Sequence, residues 1–122
     1  MITLLKYHFC KIEVYENHII VVMNEGITVL PEYNDVLVSI SLNHFKGKKF
    51  GYITNRINSY SVNPSIYIET SKIENLSVFA IVSNKQINIS NAQIEKLFFK
   101  KPFQQFTLLE DAITWIKKHV TS

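Results

Sequence analysis

Cysteine, glycine and proline are all scarce in this chain. Cys10 is the only cysteine, which excludes an intramolecular disulfide and the disulfide framework of a small secreted domain. Three glycines and three prolines among 122 residues favour regular helices and strands over long loops. The sequence contains no P-loop, no G-x-G-x-x-G and no G-x-S-x-G motif. It therefore indicates neither a glycine-rich phosphate loop nor a nucleophile elbow.

A strong charge of one sign and long apolar runs are also missing. The net charge is only +3, well short of the basic stripe of a typical nucleic-acid-binding protein, so we expect no nucleic-acid partner. No apolar run approaches the roughly 18 residues needed to span a bilayer, and we expect no membrane insertion. The first residues also lack the pattern of a secretory signal peptide. We therefore expect a cytoplasmic protein.

The composition and the apolar periodicity predict a folded α/β protein. Hydrophobic residues make up 47% and charged residues 19% of the chain, and its length favours one domain over residues 1–122. Alternating or continuous apolar segments predict strands, and apolar residues at helical spacing predict helices. The predicted strands cover residues 7–15, 18–26, 49–54, 77–83 and 103–109. The predicted helices cover residues 31–45, 64–75, 91–99 and 109–119.

The element order is therefore ββαβαβαβα. The first two strands are separated only by Glu16-Asn17, which predicts an antiparallel hairpin. Every later strand follows a helix, which predicts parallel pairing. We expect a mixed, mostly parallel sheet with the hairpin at one side.

The residues that most often carry chemistry are dispersed in this sequence. The four histidines show no metal-ligand spacing, so we expect no metal. Cys10 lies on the more apolar face of its strand, which favours a buried structural thiol over a catalytic one. Trp115 lies in the last predicted helix beside Ala112 and Ile116, and we expect its ring to be largely buried against the sheet. We predict a protein that is not an enzyme and has no cofactor.

The segment TNRINSYSVNP, residues 54–64, is the strongest candidate binding site. It contains one cation and no carboxylate, and it follows a predicted parallel strand, where ligands of open α/β sheets gather. If the segment binds, its polar side chains should face solvent, and Arg56 should point toward the helix that begins at Asn63-Pro64 and join its N–H groups in holding an anion. If the segment is structural instead, Arg56 is a buried brace. Alternatively, its asparagines and serines only cap turns and Tyr60 only packs. The candidate binding residues are Asn55, Arg56, Asn58, Ser59, Tyr60, Ser61 and Asn63.

The element order, with KGKKFGYITNRINSYSVNP followed by SVFAIVSN, resembles the STAS fold. STAS domains include the anti-sigma-factor antagonists, and this chain is most similar to small stand-alone STAS-like proteins of bacteria. In the antagonists, the loop after the third strand ends in an Asp-Ser pair whose serine is phosphorylated by a partner kinase. That pair would fall near Val62-Asn63, where this chain has no Asp-Ser. The nearest serine, Ser61, is the position at which the resemblance implies a modification.

Two functional hypotheses follow from these patterns. The first is a non-enzymatic, STAS-like regulatory or protein-interaction module whose partner is another protein. The second is a carrier that holds a small ligand, such as a lipid, a nucleotide or another anion, between the sheet and its helices. The sequence names neither the partner nor the ligand, and it does not determine the oligomeric state.

Overall fold

The structure of the protein is a computed structural model that describes residues 1–85 and 92–120. Short helical turns at Pro31–Tyr33, Ser41–Phe45 and Lys96–Phe98 join the main elements. The main elements are β1 (Thr3–Lys6), β2 (Cys10–Val14), β3 (His18–Met23), β4 (Thr28–Val29), α1 (Asn34–Ile40), β5 (Phe50–Asn55), β6 (Ser61–Val62), α2 (Ile66–Ser71), β7 (Leu76–Val82), α3 (helical at 92–95), β8 (Phe103–Phe106) and α4 (Leu109–Val120).

Six of the strands form one mixed sheet in the order β1-β2-β3-β5-β7-β8. The pairs β1·β2 and β2·β3 are antiparallel, whereas β3·β5, β5·β7 and β7·β8 are parallel. The predicted antiparallel hairpin is confirmed in β2 and β3, and the Tyr15 N–H donates to the His18 carbonyl across the Glu16-Asn17 turn at 2.8 Å. The class predicted from the sequence, α/β with a mixed and mostly parallel sheet, is therefore observed.

The predicted strand list is incomplete at the edge of the sheet. An additional strand, β1, precedes the hairpin, and the segment predicted as a strand from residue 7 becomes β2 only at Cys10. Between them the chain reverses, with the Tyr7 N–H donating to the Cys10 carbonyl at 2.8 Å. The exposed and half-buried residues of this four-residue strand alternate only twice, which is too short a pattern to recognise in sequence.

Helices cover the two faces of the sheet unequally. On one face, α1, α2 and α3 bury a large core against side chains such as Ile12, Val21 and Phe79. On the other face, α4 packs against β5, β7 and β8, and Ala112 and Ile116 are fully buried there. No helix in the described residues is long and apolar enough to cross a membrane.

Helix α4 lies very close to the sheet at Gly51. A Cβ atom at this glycine would lie 2.6 Å from Ile116 Cδ1 and 2.7 Å from Ile116 Cγ2. This contact places Ile116 over the middle of the sheet and turns Trp115 to the side. The Trp115 ring is only half-buried and packs on Phe106, with ring centroids 5.5 Å apart. The prediction that Trp115 is largely buried against the sheet is confirmed in part, since the ring packs on Phe106 of β8 and on the core of this face but keeps some exposure to solvent.

A second, two-stranded parallel sheet joins the segments that follow β3 and β5. In it, β4 pairs with β6, so that Thr28 lies opposite Ser61 and Val29 opposite Val62. Each strand has only two residues, and their pairing spans more than 30 residues of sequence. This small sheet determines the structure of the segment predicted to bind.

Candidate functional site

The segment between β5 and α2 is fastened to the segment between β3 and α1. Besides the β4·β6 pairing, the Gly26 N–H donates to the Ser59 carbonyl at 2.7 Å. The Asn58 side-chain amide donates to the Met23 carbonyl at 2.9 Å, and the Ser59 N–H donates to the Glu25 carboxylate at 2.7 Å. Residues 55–63 therefore form an ordered cover over one end of the sheet.

Arg56 points toward α2 as expected, but it is buried, so it does not face solvent as a binding edge would require. Its side chain forms a bidentate ion pair with Glu95 of α3, at 2.9 Å from Nη1 to Oε2 and 2.5 Å from Nη2 to Oε1. Nη2 also donates to the Tyr67 hydroxyl of α2 at 3.2 Å, and that hydroxyl donates to Glu95. Arg56 and Glu95 are only 6% and 5% exposed. The guanidinium therefore braces α2 and α3 against the sheet.

The electrostatics of this cluster stabilise its charges. Burial alone would lower the pKa of Arg56, but Tyr67 and Glu95 outweigh that effect and hold the pKa above its usual value. Burial raises the pKa of Tyr67 well above its usual value. Arg56 is therefore permanently charged and already paired, and α2 has only six residues. The anion site expected from the sequence combined the Arg56 guanidinium with the first N–H groups of α2. These two groups do not form an anion site on the surface.

The remaining candidate residues all lie in the cover and differ in their exposure to solvent. Asn55 and Asn58 are half-buried, and Ser59, Ser61 and Asn63 are exposed. The Asn63 side chain accepts hydrogen bonds from Ser65, as a residue that caps a turn does. Tyr60 is half-buried, and its hydroxyl pairs with Thr54 at 3.0 Å.

A cavity of about 50 Å³ lies beneath this cover, between the sheet and helices α1 and α2. Its mouth is lined by half-buried residues from two segments, Tyr33 and Val36 on one side and Tyr60 and Val62 on the other. The other lining residues are Phe9, Cys10, Ile12, Val21, Met23, Val29, Asn34, Leu37, Tyr52, Thr54, Ile66, Tyr67, Thr70 and Phe79.

The cavity wall is apolar with a few hydroxyl groups, and most of these are paired. Thr54 pairs with Tyr60, the Thr70 hydroxyl donates to the Asn34 side chain at 2.7 Å, and Tyr67 belongs to the Arg56 cluster. A small apolar pocket with a few convergent polar groups is the typical form of a small-molecule site. A ligand between the sheet and its helices was one hypothesis from the sequence, but the lining residues could not be predicted, because they come from eight separate segments.

The predicted burial of Cys10 is confirmed. The thiol side chain is 1% exposed, and burial raises its pKa to about 12, so it stays protonated at neutral pH. Among the residues that the structure describes, no three His, Cys, Asp or Glu side chains lie together as a metal site would need. The absence of a metal and of a catalytic thiol stays a prediction.

His18 is a second buried titratable group, on the α4 face of the sheet. It stacks on Tyr15 and is 3% exposed, and Nδ1 lies 2.8 Å from the Asn17 side-chain oxygen. If Nδ1 carries the proton, Nε2 is unprotonated, and Nε2 is buried with no hydrogen-bond partner among the described residues. Burial lowers the pKa of His18 to about 4, and the positive charge of Lys117 acts in the same direction.

Comparisons of this chain with protein-family models, with curated proteins and with solved structures found no match. By its own structure, the chain is an α/β protein with a mixed six-stranded sheet and a small internal cavity.

Proposed function

We propose that this protein is a non-enzymatic binding protein that holds a small molecule in the cavity between the sheet and helices α1 and α2. The observation that carries the proposal is the cavity itself, about 50 Å³ in volume, with an apolar wall and a half-buried mouth. Well-packed interiors contain few voids larger than a water molecule. A space that several waters could fill, beneath a loop fastened to a second segment by several hydrogen bonds, favours a ligand site over a packing defect.

Binding in the cavity can be tested with xenon as a small apolar probe, followed by amide chemical shifts in an NMR titration under xenon pressure. The wild type should bind xenon, as apolar cavities in proteins do. Val36→Phe places a ring at the mouth and should weaken binding at least about tenfold, since the cavity and its entrance become filled.

The matched control is Val38→Phe, two residues along the same helix, where the side chain is 36% exposed and does not line the cavity. It should keep the wild-type affinity. The proposal fails if xenon shifts no resonance of cavity residues in the wild type, or if the two variants bind xenon equally.

A second candidate function is the regulatory or protein-interaction module suggested by the STAS-like element order. It is favoured by two exposed apolar side chains three positions apart, Ile94 of α3 at 56% and Leu97 of the following helical turn at 81% exposure. Apolar side chains that face water together often mark a protein contact. In this proposal Ser61, which is exposed, is the candidate for modification.

The interaction hypothesis predicts that one partner protein depends on these two residues. Immobilised wild-type protein should capture the partner from a native extract, and Ile94→Glu with Leu97→Glu should reduce the capture more than about tenfold, because two charges would replace the apolar contact. Leu42→Glu, at another exposed apolar position, should retain it. Equal capture by all three proteins would place the contact elsewhere.

A further inference from the structure

Lysines are concentrated at the end of the sheet where its parallel strands begin. The connections that lead into β5, β7 and β8 are residues 46–49, 72–75 and 99–102. Because β5, β7 and β8 run parallel to one another, these three connections lie at the same end of the sheet. Half of their residues are lysine, and Glu74 is their only carboxylate. We call this group the basic surface; its members are Lys46, Lys48, Lys49, Lys72, Lys100 and Lys101.

Hydrogen bonds hold the three connections of the basic surface against one another. The Asn75 side-chain amide donates to the Lys48 carbonyl at 3.0 Å, which joins the connection before β7 to the one before β5. The Lys101 ammonium donates to the Ile73 and Leu76 carbonyls at 2.5 and 2.6 Å, which joins the connection before β8 to the one before β7. The lysines of the three connections therefore belong to one continuous surface.

Four of the six ammonium groups face solvent without a counter-charge. Lys46, Lys48, Lys49 and Lys100 are exposed, and none of them forms an ion pair with a described residue. A helix C-terminus favours a cation within about one turn, which accounts for Lys46 but not for the other three. Like charges that converge repel one another, and an anionic partner removes that repulsion. The arrangement therefore points to a partner with many negative charges.

Two exposed leucines adjoin the basic surface. Leu42 is 66% exposed and lines an open surface groove together with Lys49 and Lys72. Leu97 is 81% exposed and precedes Lys100 by three residues. Proteins that adsorb to an anionic bilayer combine these two features, because lysines are attracted to the charged headgroups and apolar side chains enter the boundary with the acyl chains.

The side chains of the basic surface suit lipid headgroups better than nucleic acid. All six cations are lysines, which attract negative charge without the bidentate geometry by which arginine recognises a phosphate. Phe99 is the only aromatic residue in the three connections and is buried, so unpaired bases would find no ring to stack on. Leu42 and Leu97 gain by leaving water for a bilayer, and a phosphate backbone offers them no such gain.

We propose that the basic surface adsorbs this protein to bilayers that contain anionic lipids, with its lysines at the headgroups and Leu42 and Leu97 at the boundary with the acyl chains. None of the six lysines lines the cavity, so this function is separate from binding there. The cover over the cavity, residues 55–63, follows the carboxyl end of β5 and therefore lies at the other end of the sheet, away from the bilayer.

Sedimentation with sucrose-loaded vesicles tests the proposal. Wild-type protein should bind phosphatidylcholine vesicles with about one-third phosphatidylserine at least about tenfold more tightly than vesicles of phosphatidylcholine alone, because only the former carry a negative surface charge. Added salt should weaken this binding, since it screens exposed charges. Lys48→Glu with Lys100→Glu, one position from each of two connections, should weaken it at least about tenfold.

Lys6→Glu with Lys11→Glu is the matched control, because it changes the net charge equally at two exposed positions. Lys11 lies opposite Val22, near the carboxyl end of β3 and so at the other end of the sheet, and this variant should keep the wild-type affinity. The proposal is overturned if wild-type protein binds both kinds of vesicle equally, or if the two lysine variants weaken binding equally. Binding of single-stranded RNA without binding of anionic vesicles would also overturn it and assign the basic surface to nucleic acid.

The contribution of the leucines is tested separately, without a change in charge. Leu42→Ser with Leu97→Ser should weaken binding to the anionic vesicles at least about fivefold, because less apolar surface leaves water. Ile57→Ser, at a position that is 63% exposed in the cover, should leave binding unchanged. Wild-type affinity in the double leucine variant would overturn the placement of Leu42 and Leu97 at the acyl chains.

Discussion

Replacement of Arg56 by methionine is expected to lower the free energy of unfolding by about 3–5 kcal/mol. The substitution keeps much of the side-chain length but removes the cation, and the Glu95 carboxylate is then left 5% exposed without its bidentate partner. An uncompensated buried charge is the costly part of this change. Chemical denaturation with urea, with the slope compared between variants, measures the loss directly.

Two further variants test whether the loss of stability comes from the broken ion pair or from the changed packing. Arg56→Met combined with Glu95→Leu removes both charges and should recover most of the loss, because a buried pair replaced by apolar side chains is often neutral. Lys72→Met breaks the Lys72–Glu69 pair, whose side chains are 67% and 50% exposed, and should cost less than about 1 kcal/mol. A loss for Arg56→Met as small as that of Lys72→Met would show that Arg56 does not brace the fold.

The second large effect is a loss of stability in mild acid through His18. The pKa of His18 is 6.5 in a model peptide and about 4 in the folded protein. Between pH 6.5 and pH 4, His18 is therefore protonated in the unfolded chain and mostly neutral in the folded chain. The contribution of neutral His18 is therefore complete above about pH 6.5 and is lost as the pH falls towards 4. The difference in pKa corresponds to about 3 kcal/mol over this range.

His18→Phe removes the titrating group but keeps a flat ring against Tyr15. Its free energy of unfolding, measured relative to the wild type, should rise by about 3 kcal/mol between pH 7 and pH 4, because only the wild type loses the His18 contribution. Asn43→Gln, at an exposed position without a titrating group, should show no such change relative to the wild type. A relative change below about 0.5 kcal/mol for His18→Phe would mean that His18 takes up its proton in the folded state without cost.

Most secondary-structure elements could be predicted because each is encoded within a short window of sequence. The apolar run of β7 and the amphipathic pattern of α4 were read correctly to within a few residues, from Leu76 to Val82 and from Leu109 to Val120. Gly47 has a φ of 88°, as expected for a residue that ends a helical segment. The strands β1, β4 and β6 have four residues or fewer, and a pattern that short carries little signal.

The candidate site was predicted less well, because its contacts join distant parts of the chain. The role of Arg56 depends on Glu95, which lies 39 residues away in sequence. One signal was present: Ala92, Glu95 and Phe99 are spaced to share a helix face, and all three are buried. A carboxylate on an apolar face needs a cationic partner, and Arg56 is the cation that the structure brings to it.

The sequence by itself determined the α/β class, the hairpin of β2 and β3 and the burial of Cys10, because local periodicity and short connections specify these features. Only the tertiary structure decided that Arg56 turns inward to Glu95, that β4 and β6 pair, and that a cavity remains beneath them. These features depend on how side chains from separate segments fill one space and balance one another's charges. That balance is set by packing in three dimensions, and no window of sequence contains it.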